Sequence, residues 1–352
     1  MRRWSFVGIL IFVAAFASTA SVAQPVADFY RGKTLTLVMG YSVGGGYDTY
    51  ARVLARYMTK HLPGNPAIIV QNMPGAGSLR SANYLFSVAP KDGTVFGMFG
   101  RGLAMEPLIG GSAAQYDSRK FSWLGSATNE VSVCALWHTS AVKNWDDMLT
   151  KPFAVGAEGS GSDPDIFAAM LKNVFGAKLK VVSGYPGSNE VALAMERGEV
   201  DGRCGWSWSS IKATRADWIR DKKISVVLQL SLSKSPELPD VPLVTEFAKT
   251  ERQQQILKLI LSRQVMGRPF TAPPGIPEDR KTALRAAFDA TMADAEFRAD
   301  ITARGLEVNP VSGAEVDKLM AELYQTAPEA IAEAKAAIAN VNSFIRTVGG
   351  KQ

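Results

Sequence analysis

Three consecutive glycines, Gly44 to Gly46, stand between an apolar run, Leu35 to Met39, and a segment with helical spacing. A glycine-rich turn ahead of a helix exposes backbone N–H groups, which carry partial positive charge and hold anions. Phosphate is the first candidate, and the spacing argues against it. A Walker A loop counted from Gly40 reaches its second glycine at Gly45. Gly46 and Tyr47 then occupy the places of the required lysine and hydroxyl residue. A dinucleotide fingerprint counted from Gly44 and Gly46 meets Thr49 where its third glycine should be. What remains is an anion site without a cation, suited to a carboxylate approached closely by backbone.

Other residues bear on the same chemistry. Arg101 follows the apolar run Thr94 to Phe99, where its guanidinium could fork a second carboxylate. Trp206 and Trp208 follow another apolar run, and Trp206 is the better placed to wall a pocket. Ser160 lies in Gly159–Ser162, but no G-x-S-x-G elbow surrounds it. A serine nucleophile also needs a base, and neither His61 nor His138 falls on an obvious strand-to-helix loop. Asp163 and Asp165 read as caps and dipole partners of a helix start. The two histidines and two cysteines have no metal-ligand spacing, so neither a metal nor a cofactor is expected.

The elements that position these residues repeat one pattern. Thr34–Met39 reads as a strand, and Asp48 stands as the cap of a helix with Ala51, Leu54, Met58 and Leu62 on one face. Ala67–Val70, the loop Asn72–Gly77, a helix capped by Ser78, and the strand Thr94–Phe99 follow. A second βαβαβ unit runs through Phe153–Ala157, Lys180–Val182 and Val200–Trp206, with loops at Gly159–Pro164 and Tyr185–Asn189. Right-handed crossovers bring all four loops to the carboxyl edges of parallel strands, where ligands bind. Two such edges facing each other make a cleft between two lobes. Crossings between lobes are expected near Ala127–Val133 and Val226–Leu232.

The N-terminus has Arg2 and Arg3, then an apolar run Phe6–Phe16 too short to span a bilayer, then Ser21-Val22-Ala23. That is the pattern of a cleaved signal peptide over residues 1–23, and it implies export. Its loss lowers the formal charge from +6 to +4. Lys and Arg are scattered rather than clustered, so no nucleic acid is implied. In an oxidising compartment Cys134 and Cys204 can pair. They can equally be two buried free thiols, since Val131–Leu136 looks like a strand interior.

These stretches together resemble the periplasmic substrate-binding proteins of tripartite tricarboxylate transporters, the Bug or TctC family. The resemblance is carried by Leu37-Val38 through Gly44-Gly45-Gly46-x-Asp48-x-x-Ala51-Arg52 and by Asn72-x-Pro74-Gly75-Ala76-Gly77. Ala89–Gly93, Gly159–Ser162, Tyr185-Pro186-Gly187 with Gly198-x-Val200-Asp201, Leu238–Pro242 and Ala272–Pro277 continue the series. It implies an α/β, type II periplasmic-binding fold with a mostly parallel sheet in each lobe. Residues 24–130 plus 230–352 would form lobe 1, and 131–229 lobe 2. It implies no catalysis and a small organic carboxylate held by backbone loops in the interlobe cleft. A periplasmic monomer would deliver that ligand to integral-membrane transporter subunits. Carried onto this chain, the contacts fall at Tyr41, Ser42, Gly45, Gly46 and Asp48, and at Gly75, Ala76, Gly77 and Ser78. On the second lobe they fall at Ser160, Gly161, Ser162, Tyr185 and Trp206. The chain departs from the pattern at Val43, where the family has proline, at Arg101, and at Arg203-Cys204-Gly205-Trp206, where it is usually apolar. A hydrolase or transferase using Ser160, or a ligand-presenting sensor module, are the alternatives from other classes.

Overall fold

The computed structural model describes residues 25–111, 113–339 and 343–345. The expected signal peptide lies outside the described residues. Within them no helix is long and apolar enough to cross a membrane.

Among the described residues twelve strands form two sheets. The first is ordered β11-β4-β10-β3-β1-β2, built from β1 (Thr34–Met39), β2 (Ala67–Asn72), β3 (Val95–Met98), β4 (Ser122–Ser126), β10 (Pro269–Ala272) and β11 (Val311–Ser312). The second is ordered β12-β7-β6-β8-β5-β9, from β5 (Ser132–Trp137), β6 (Phe153–Gly156), β7 (Leu179–Ser183), β8 (Gly202–Ser207), β9 (Ile224–Leu230) and β12 (Ser343–Ile345). The βαβαβ runs give the parallel pairs, β1 with β2 and β3, and β6 with β7 and β8. Strands that cross between sheets add antiparallel neighbours, β10 against β3 and β4, and β5 against β8 and β9. Each sheet is therefore mixed, with its parallel half carrying the glycine loops.

The helix Gly46–Met58 buries Ala51, Leu54 and Met58 as its spacing predicts. Asp48 is not its cap. Gly45 holds that position, and Asp48 is the third helical residue, reaching back to accept from the N–H of Gly44 at 2.9 Å. Ser78 precedes the helix Leu79–Ser87 but caps nothing with its side chain. The helix Asp163–Phe175 has Pro164 in its first turn and ends on Gly176 with φ +79°, a left-handed stop that favours glycine.

The first crossing between sheets, residues 127–131, lies where expected. The return crossing does not, because Val226–Leu230 is the interior of β9. The segment beside the first crossing is instead Gln264–Arg268, joined by Glu130 N–H to Gln264 C=O at 2.9 Å and Ala127 N–H to Arg268 C=O at 3.0 Å. The tail also differs from its expected place in lobe 1. The helix Pro328–Ile338 packs on the helices Asp163–Phe175 and Glu251–Leu261, and β12 pairs in parallel with β7. That pairing covers what would otherwise be an open sheet edge. One buried cluster runs through both halves and includes Leu85, Phe99, Trp123, Leu136, Phe167, Leu257 and Ile260.

Cys134 and Cys204 face each other in the register of β5 and β8, fully buried, and are joined by a disulfide. The bond closes a loop of 70 residues around the second sheet's parallel half. Replacing both by alanine is expected to lower unfolding stability by about 2–4 kcal/mol. Urea denaturation of the two forms checks this, and equal midpoints would mean the bond does not form in the protein.

Candidate functional site

The carboxyl ends of the parallel strands meet around one cavity of about 40 Å³. The first sheet contributes Tyr41, Ser42, Gly45, Gly46 and Tyr47 after β1, and Gly100 and Arg101 after β3. The second contributes Glu158, Asp163 and Pro164 after β6, Ser188 after β7, and Arg203, Gly205, Trp206 and Ser207 from β8, with Ser210 just beyond. The helix starting at Gly46 presents its first-turn N–H groups at this wall, and these have no intrahelical acceptor. The helix dipole adds to their attraction for an anion.

Of the residues predicted to hold ligand, Tyr41, Ser42, Gly45, Gly46, Arg101 and Trp206 line the cavity. Asp48, Gly75, Ala76, Gly77, Ser78, Ser160, Gly161, Ser162 and Tyr185 are not among its lining residues. Each is accounted for otherwise. Asp48 is buried and accepts from Gly44 N–H, from Arg52 Nε at 2.8 Å and from Asn72 Nδ2 at 2.8 Å. It shapes the glycine turn from behind.

The loop Gly75–Ser78 has four successive positive φ values, 140°, 48°, 61° and 70°. Two of these fall on residues with a Cβ, Ala76 and Ser78, and cost of order 1 kcal/mol each. The contorted turn presses against the other sheet's loop. Gly77 N–H donates to Glu158 C=O at 3.2 Å, and a Cβ on Gly77 would stand 2.7 Å from the Gly159 carbonyl oxygen. Ser78 Oγ accepts from Gly100 N–H at 2.8 Å. Gly161 packs against Leu103 and Glu106, and Ser160 Oγ donates to Glu106 Oε1 at 3.1 Å. Ser162 Oγ donates to Asp165 at 2.7 Å. Tyr185 is buried in the second sheet's core. These loops are contacts between the two halves.

Further bridges close the cleft. Ser42 Oγ donates to Glu190 at 2.8 Å, and Asn189 Nδ2 donates to Val43 C=O at 3.0 Å.

Arg101 is 2 % exposed, and every N–H of its guanidinium is engaged. Nε donates to Asp163 Oδ2 at 2.7 Å, Nη2 to Ser132 Oγ at 2.7 Å and to Ser207, and Nη1 to Gly267 C=O at 3.1 Å and to Ser207. Burial works against its charge, but the Asp163 carboxylate holds its pKa above the ordinary arginine value. The expectation that Arg101 forks a ligand carboxylate therefore gives way. It ties the first sheet to Asp163 of the second.

Sequence reasoning missed the second sheet's charged pair. Arg203 Nη1 donates to Glu158 Oε1, and both residues are buried in the cavity wall. Burial pushes Glu158 above the usual carboxylate value, and Arg203 opposes that shift. Four buried arginines near the cleft, Arg101, Arg203, Arg263 and Arg268, stand among the buried acids Glu106, Glu130, Glu158 and Asp163, and a fifth buried acid, Asp48, is paired with the more exposed Arg52. The interior is thus close to neutral, and the helix start adds the partial positive charge of its dipole. Tyr41, also in the wall, has its hydroxyl pKa raised well above its usual value by burial, so it stays a proton donor.

No protein-family model matches the chain. Among curated proteins it is similar to the "UPF0065 protein in the TAR-I ttuE-ttuC' intergenic region" of Agrobacterium vitis. The two are 24 % identical over 289 residues, which is 79 % of each chain. Protein BugT of Bordetella pertussis is 39 % identical over 72 residues, 20 % of this chain and 22 % of that one. Among solved structures, the periplasmic binding protein BugD superposes with a TM-score of 0.71 at 21 % identity, covering 88 % of this chain and 98 % of that one. MatC of Rhodopseudomonas palustris with bound malate gives 0.66 at 20 % identity, covering 87 % and 99 %. The fold is that of the periplasmic binding proteins, and the resemblance to the Bug family read from the sequence motifs is borne out.

Proposed function

We propose that this Bug-like chain is an extracytoplasmic solute-binding protein. It captures a small organic carboxylate between its two sheets and delivers it to a membrane transporter of the tripartite tricarboxylate type. The observation that carries this reading is the cavity itself. It is enclosed by the carboxyl edges of two sheets and floored by the first turn of the helix Gly46–Met58. Such a helix start binds carboxylate without a cation, and the surrounding charges are already matched. The malate held by the similar MatC structure is an anion of this kind. Ligand contacting both walls favours the closed arrangement by its differential affinity for it. We further propose cleavage of residues 1–23 on export and action as a monomer.

A hydrolase working through Ser160 finds less support. Ser160 is exposed, lies off the cavity and donates to Glu106. His61 is bonded to Asp294 at 2.8 Å, and the His138 ring packs on Trp137.

The test is a thermal-shift screen on purified protein, stripped of carried ligand by unfolding and refolding. The panel holds mono-, di- and tricarboxylates, aromatic acids, amino acids and neutral amides. A true ligand at about 1,000 times its Kd adds about 4 kcal/mol, which is several degrees for a chain of this size. A shift confined to carboxylates is the expected result. Shifts only with uncharged compounds, or with no compound, would defeat the reading.

A further inference from the structure

Three residues in the second sheet's part of the cavity wall each leave a polar atom unpartnered among the described residues. They are Glu158 at Oε2, Arg203 at Nε and Trp206 at Nε1. All three are more than nine-tenths buried, at 3 %, 7 % and 2 % exposure. A buried polar atom without a partner carries its full desolvation penalty. Three on one wall of a ligand cavity make a hydrogen-bonding set that a bound molecule completes.

The set has a definite character. Arg203 Nε and Trp206 Nε1 are donors only, and ionised Glu158 accepts only. A matching group must therefore accept from two N–H groups and donate one proton. The charge is also fixed. Arg203 is already bonded to Glu158, so the pair is neutral and offers no spare cation. A second ionised carboxylate on the ligand would satisfy the two donors but would set a negative charge against Glu158 Oε2. A carboxamide fits, its C=O accepting twice and its N–H donating to Glu158. A hydroxyl fits in the same way, with two lone pairs and one proton.

Resting on the carboxylate-capture reading above, we propose that the Glu158–Arg203 pair with Trp206 forms a second subsite for a neutral donor-acceptor group. The preferred ligand class is then a monocarboxylate bearing an amide or hydroxyl at its far end, rather than a dicarboxylate. Sites built around hydrogen bonds discriminate strongly, because the wrong group leaves their buried polar atoms unmatched.

Isothermal titration at neutral pH tests this on the stripped, refolded protein. The probes are the dicarboxylates from malonate to adipate, their monoamides, and the ω-hydroxy acids of equal length. At the best chain length the monoamide or hydroxy acid should bind tighter than the dicarboxylate by about tenfold or more. Glu158→Gln removes the negative acceptor and leaves Arg203 uncompensated, so it should shift preference toward the dicarboxylate by a similar factor. Trp206→Phe keeps the ring and removes the donor. It should weaken the monoamide about five- to tenfold relative to a plain fatty acid of the same length, and it decides the matter if Glu158→Gln does not refold. A dicarboxylate that binds wild type as well as its monoamide overturns the subsite while leaving carboxylate capture standing. If no acid in the screen binds at all, the capture reading falls and takes this inference with it.

Discussion

Gly46→Ala is expected to weaken ligand-dependent stabilisation sharply while the protein still folds. Gly46 opens its helix with ordinary φ, so its own half of the molecule tolerates a methyl group, and alanine favours helix over glycine by about 1 kcal/mol. The obstacle comes from the other wall. A Cβ at Gly46 would stand 1.9 Å from Ser210 Oγ, 2.6 Å from its Cβ and 3.2 Å from its Cα. Oγ can rotate away, but the Cβ and backbone of a helix cannot. Overpacking of this kind costs about 1–3 kcal/mol. Falling on the closed state alone, that lowers affinity roughly 5- to 150-fold. Gly45→Ala is the internal control, because its Cβ would meet only the movable Ser188 Oγ at 2.7 Å. Adding Ser210→Gly to Gly46→Ala removes the two closest clashes and should restore much of the binding. The measurement is titration with whichever acid the screen identifies, alongside circular dichroism of each variant. Wild-type affinity in Gly46→Ala would mean that ligand binds without the contact between Gly46 and Ser210.

The scaffold behind that prediction was legible because strand, glycine loop and helix are local patterns. The runs at Thr34–Met39 and Ile224–Leu230 coincide with strands, and Phe153–Ala157 does so up to Gly156. The loops also fall at the carboxyl edges, as right-handed crossovers require. What the sequence hid was which loops face the cavity and which face each other. Gly75–Ser78 and Gly159–Ser162 look like binding loops, yet their glycines admit a backbone from the opposite half. Nothing within either loop distinguishes a carbonyl of the protein from a carboxylate of a ligand. Arg203 stands out as a departure from the family pattern, but its pairing with Glu158 is hidden because the two sit 45 residues apart. A signal did exist: an arginine inside the buried strand Gly202–Ser207 must have a counter-ion. The acid two residues beyond the neighbouring strand β6, Glu158, is the place to look.

Arg101 shows the same limit at greater energetic cost, and it yields the largest expected effect on stability. Its position after β3 suggested a ligand contact, but its donors serve Asp163, Ser132, Ser207 and the Gly267 carbonyl. Arg101→Met should therefore destabilise the protein by about 3–5 kcal/mol, the cost of leaving one member of a buried pair uncompensated. Arg263 Nη1, 3.7 Å from Asp163 Oδ1, is too far for a hydrogen bond and replaces the lost charge only in part. Arg101→Lys should fare little better, since one ammonium cannot occupy a planar fork spread over four partners. Pairing Arg101→Met with Asp163→Leu removes both charges and should recover most of the loss. Equilibrium urea denaturation measures all four proteins. The comparison with ligand affinity separates the two roles. A tie between sheets lowers the unfolding free energy whether or not ligand is present. A ligand fork would leave that free energy near wild type and weaken only binding. A loss below about 1 kcal/mol in ligand-free Arg101→Met, well short of what a broken buried pair costs, would return Arg101 to the ligand.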